Sequence, residues 1–152
     1  MHQVISVKVP VSGDPFRLAR ALSDTNLQRV FLAMGKRLRD ISLSTFGAAG
    51  RNRAEPWPAL SPAYMRRIRY FGLPRLILRT DLINSVGVTD SNASGCTVGS
   101  LVRYASAHQH GVPPYLPRRP WLPITGGKLT PFAEKELQTA AQNELGKIMM
   151  GV

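Results

Sequence analysis

Apolar residues recur along this chain with two different periods. Ile5, Val7, Val9 and Val11 alternate with their neighbours, the period of a half-buried strand, and Pro10 puts that strand at an edge or an end of a sheet. Asp14-Pro15 offers an N-cap and a first-turn proline for a short helix reaching about Leu22, with Phe16, Ala19 and Leu22 turned inward. After the turn Asp24-Thr25-Asn26 the period changes. Leu27, Val30, Phe31, Met34, Leu38 and Ile41 recur at helical spacing, which predicts a long helix over Asn26 to Ser44 with one apolar stripe. Arg29, Lys36, Arg37, Arg39 and Asp40 fall on its opposite face.

The segment from Gly47 to Pro62 holds three prolines before Ala63 and further glycine, so it reads as a loop. Trp57, between Pro56 and Pro58, is expected to dock on the domain. Ala63 to Tyr70 reads as a short helix exposing Arg66, Arg67 and Arg69, and Leu73 to Thr80 as an extended run or a helical turn. Ser85 to Thr89 and Cys96 to Ser100 form the arms of a hairpin around the turn-forming run Asp90 to Gly95. Leu101 to His110 suits a helix stopped by Gly111, and both Gly95 and Gly111 are expected to take positive φ. Val112 to Pro123 carries five prolines and reads as an extended loop. Thr130-Pro131 caps a final helix whose buried stripe is Leu137, Ala141, Leu145 and Ile148. Strands grouped between helices predict an α+β fold, not a doubly wound parallel sheet. The expected architecture is a single domain, 1–152. A small antiparallel sheet (leading strand plus hairpin) packs against the long N-terminal helix and the C-terminal helix, with long Pro-rich loops.

Charge changes the picture more than composition does. The formal net charge is +11, and the excess is uneven. Phe46 to Thr80 holds seven Arg and the single acid Glu55, whereas from Lys128 onward three Lys balance three Glu. Such a surface points to nucleic acid or to an acidic protein partner. Arg118-Arg119 lies between Pro117 and Pro120, so a contact made there loses little ordering entropy. With Trp57, Arg66, Arg67 and Arg69 it forms the expected subunit or partner contact; Arg51 and Arg53 are the candidates to face DNA. Chemistry is harder to find. No Gly-x-Ser-x-Gly elbow is present, and paired catalytic carboxylates are scarce, so no enzyme activity is expected. His108 and His110 lack a third ligand nearby and Cys96 is the only cysteine, so neither a metal site, a cofactor nor a disulfide is expected. His108 is expected to fix the Pro-rich loop by bonding a backbone carbonyl. No run approaches a membrane span or a signal peptide, which predicts a protein made and kept in the cytoplasm unless assembled.

One segment carries most of the remaining information. Tyr104-Ala-Ser-Ala-His-Gln-His-Gly111 is followed by Pro117-Arg-Arg-Pro-Trp-Leu122. This order resembles the bacteriophage virion morphogenesis (tail completion) family. The resemblance extends to the helix running into Phe46, the loop element Trp57-Pro-Ala-Leu60-Ser61 and the final helix. The chain departs from the family at Thr80-Asp81-Leu82, where a glycine is usual, and at Arg66-Arg67, where Lys is usual. The resemblance implies a structural protein of the phage neck or tail, acting in tail completion or head-tail joining. It implies a ring of identical subunits around the DNA path, a hexamer among the sizes it allows, with the tail tube and head-tail connector as partners. It places the protein in the virion, and in the host cytoplasm during assembly. Tyr104, His108, Gln109, Gly111, Pro117, Pro120 and Trp121 are then structural motif positions. The alternative from charge alone is a small basic nucleic-acid-binding module.

Overall fold

The computed structural model describes residues 23–48, 50, 51, 53, 56–67 and 81–151. The expected leading strand, the helix ending near Leu22, the run from Leu73 to Thr80 and Arg69 lie outside the described residues. Helix α1 spans Asp24–Gly47. Its stripe Val30, Met34, Leu38 and Ile41 is buried, while Phe31 only flanks the core. Asp24 in the first turn complements the positive end of the helix dipole. The helix continues past Ser44 because Thr45 and Phe46 are themselves core residues. The buried hydroxyls of Ser42 and Thr45 donate to the carbonyls of Leu38 and Ile41, so neither is left orphaned inside the protein.

Short helices α2 (Pro62–Arg67) and α3 (Asp81–Ser85) precede a hairpin, β1 (Gly87–Asn92) and β2 (Gly95–Gly99). Its antiparallel register breaks at a bulge between Val88 and Asp90. The turn is tighter than the Asp90 to Gly95 run suggested. Asp90, Ser91 and Asn92 pair in the ladder, and Gly95 sits opposite Asn92. Gly95 is thus a strand residue and is absent from the positive-φ glycines, which corrects the expectation for it. The hairpin packs on α1 at Gly35, where an added Cβ would lie 3.1 Å from Val88 Cγ2 and 3.2 Å from Cys96 Sγ. A glycine inside a helix costs roughly 0.5–1 kcal/mol relative to alanine; here it lets the sheet approach.

Helix α4 (Ala105–His110) leads into the Pro-rich strap. The strap is not extended throughout: Val112 and Leu116 bridge and close a turn. It ends in a second hairpin, β3 (Ile124–Thr125) with β4 (Lys128–Leu129), around Gly126-Gly127, both at positive φ. The final helix α5 (Pro131–Met150) starts as expected. The Thr130 hydroxyl accepts from the Ala133 N–H, and Gly151 ends it in the left-handed conformation. Ala133, Leu137, Ala141 and Ile148 are buried against α1, with Leu145 only partly so. Two ion pairs span the helices, Arg29 to Glu144 at 2.9 Å and Arg37 to Glu136. The mixture of helices and small antiparallel hairpins is an α+β fold. No described helix is long and apolar enough to cross a membrane.

Candidate assembly interface

The strap is held to the core by a set of directed bonds. Gln109, on the last turn of α4, is 4% exposed. Its single side-chain oxygen accepts from the backbone N–H groups of both Trp121 and Leu122, each at 3.0 Å. The Trp121 indole N–H returns a bond to the Ala105 carbonyl at 3.0 Å. The Arg119 N–H donates to the His108 carbonyl at 2.8 Å. Helix and strap are therefore joined at both edges. Trp57 enters from the other side, and its indole N–H donates to the Pro120 carbonyl at 2.8 Å. Phe46, at the end of α1, lies between the two indoles. It meets Trp57 edge-on at 5.8 Å and stacks on Trp121 at 6.3 Å, the geometries that aromatic quadrupoles favour.

Two glycines make this packing feasible. Gly50 has φ +75, and a Cβ there would sit 2.3 Å from Trp57 Cγ. Gly111 has φ +77, and its Cβ would come 2.9 Å from the Arg118 nitrogen. Any other residue at either position would push the strap or the indole away.

Several expectations are corrected by this geometry. Trp57 docks on the domain, but it is 3% exposed, so its ring is not available as a surface contact in this chain. The Arg118-Arg119 pair is divided. Arg118 is exposed, whereas Arg119 is buried at 5%, because the strap passes from the surface into the core between them and stays buried through Ile124. The carbonyl that His108 was expected to bond is reversed: its own carbonyl is the acceptor, and its Nδ1 is buried without a hydrogen bond. Burial, and then the charge of Arg119, pushes the His108 imidazole below its ordinary pKa. Tyr104 covers it edge-on at 5.7 Å.

Tyr104, His108, Gln109, Gly111, Pro120 and Trp121 thus form one cluster with Trp57, while Pro117 is exposed beside it. Arg51 is exposed and bonds back to the Ala48 carbonyl. Arg53 is half-buried and Arg66 is exposed on α2, which also carries Arg67. Sequence reasoning missed Phe46 as the centre of the aromatic group and Gly50 as the space for Trp57. The available hints were the Phe at the end of a periodic helix and a Gly ahead of a lone Trp. The cluster is a packing device. Among the described residues no three His, Cys, Asp or Glu side chains come together to hold a metal ion. What it presents outward is the turn from Val112 to Leu116, with Tyr115 88% exposed at its tip.

No curated protein and no solved structure matches the chain. The family model for phage virion morphogenesis matches residues 16–146; that span takes in α1, both hairpins, the clamped strap and most of α5, and the chain belongs to the phage virion morphogenesis family.

Proposed function

We propose that this protein acts at the neck or tail end of the phage particle, in tail completion or head-tail joining, as one subunit of a ring of identical chains around the DNA path. Family membership gives a structural role in building the virion. The observation that carries the finer reading is the clamped strap. The segment that resembles tail completion proteins is also tied to the core by directed bonds through Gln109, Trp121 and Trp57. It offers a stiff projecting turn and an exposed Arg118 for binding. Preorganised surfaces of this kind suit assembly, because little freedom is lost on contact. The tail tube and the head-tail connector are the proposed partners. Arg51, Arg53 and Arg66 would supply a basic edge toward the DNA, in non-specific contact with phosphates.

Deleting the gene from its phage is the direct test. Heads that fill and tails or tail parts that remain unjoined, or that carry aberrant ends, are the expected products. Normal infectious particles from the deletion would refute the proposal.

A further inference from the structure

The turn from Val112 to Leu116 has a construction that its place in the fold does not require. Its base is closed by the Val112–Leu116 bridge and by Gly111, whose backbone leaves no room for a side chain beside Arg118. Its apolar groups nevertheless turn outward, Tyr115 at 88% exposure within the turn and Val112 at 46% at its base. His110 and Arg118, which flank the turn in the chain, are both exposed, and Arg118 makes no ion pair with a described residue. Between Asp90 and Glu134 the sequence has no Asp or Glu at all, so the helix and strap that carry the turn bring positive side chains and no carboxylate of their own. We infer that the 112–118 turn is a docking finger, with Tyr115 as anchor and Arg118, beside His110, as its charged collar, and that its partner is a different particle protein presenting an apolar pocket rimmed by carboxylates.

This inference rests on the proposed role in particle assembly and names the partner's chemistry. Tyr and Arg are the side chains that most often dominate binding when seated in a desolvated pocket, and a rigid turn loses little freedom on docking. Duplex DNA fits the collar but not the anchor, because its bases are stacked inside and would leave Tyr115 and Val112 in water. A second copy of this chain fits poorly as well. Glu136 and Glu144 are taken by Arg37 and Arg29, and Asp40 lies by Arg39. The other described acids are dispersed over the starts of α1, α3 and α5 and over β1.

The test uses heads and tails purified separately from a phage deleted for the gene, with binding of the full chain read by co-sedimentation. Wild type is expected to bind one of them. Tyr115→Ser and Arg118→Glu should each weaken that binding by about tenfold or more while melting as wild type does, since both side chains are exposed. With p-benzoylphenylalanine in place of Tyr115, photocrosslinking should mark an Asp- or Glu-bearing peptide of another particle protein. If wild type binds and both variants bind equally well, the finger is refuted and the assembly role stands. Crosslinks to DNA or to a second copy also overturn it. Wild type binding neither heads nor tails overturns the assembly role and the finger together.

Discussion

Gln109 accounts for more of this structure than any charged residue. One buried amide oxygen satisfies two backbone N–H groups that would otherwise be orphaned under the strap. An unmet buried donor costs about 1–3 kcal/mol, so Gln109→Ala should destabilise the protein by roughly 2–4 kcal/mol, read as a lower urea midpoint with a nearly unchanged slope. His108 gives a second prediction. Its pKa is lowered from 6.5 by burial and by Arg119, so the unfolded chain binds the proton more readily. Stability is then complete above pH 6.5 and declines as pH falls below it. Urea unfolding at about pH 7.5 and about pH 5.5 should reveal that decline, and His108→Gln should reduce it. The Tyr104-to-Gly111 motif was visible in the sequence, but the partners of its Gln and His were not. They lie across a proline-rich loop, and only the folded strap decides which atoms meet. Arg119 shows the same limit: two adjacent arginines look alike until the strap enters the core between them.

At the level of elements, periodicity served well where one face is buried along many turns. Both long helices were legible for that reason, α5 down to its Thr130 cap. The boundary of α1 moved because Phe46 follows the core and not the local pattern. The β3–β4 hairpin was missed because the surrounding prolines dominated the reading, although Gly126-Gly127 is a turn former. The two faces of α1 also differ from expectation. Met34 is 1% exposed and Phe31 only partly buried. Met34→Ala should therefore cost about 2–5 kcal/mol, and Phe31→Ala less, in the same denaturation assay. Arg37 is not simply solvated, since it reaches Glu136 on α5. A double-mutant cycle on Arg37 and Glu136 should give a coupling of about 0.2–1 kcal/mol that shrinks with added salt. A coupling that ignores salt would mean the pair is more deeply enclosed than its exposure implies.

For the whole molecule, the net charge of +11 overstates what is free to bind phosphate. Arg29, Arg37, Arg39 and Lys147 already lie against carboxylates. The isolated chain should therefore bind duplexes of unrelated sequence no more tightly than about 10⁻⁵ M at physiological salt, weakening further as salt rises. Fluorescence anisotropy across a salt series measures this. Sub-micromolar affinity with a sequence preference would favour the nucleic-acid-binding module over the assembly role. The fold class and family membership were legible at this scale because they depend on the order of elements along the chain. The outward face of the strap was not, because it depends on which side of each residue the core occupies. The Gln109 clamp carries one more consequence. Two amides of the strap exchange their protons with solvent only when the last turn of α4 opens, so helix and strap should behave as one cooperative unit, protected or released together. The proposed docking surface is thereby shaped before any partner arrives, and it should be lost only by unfolding the element that holds it.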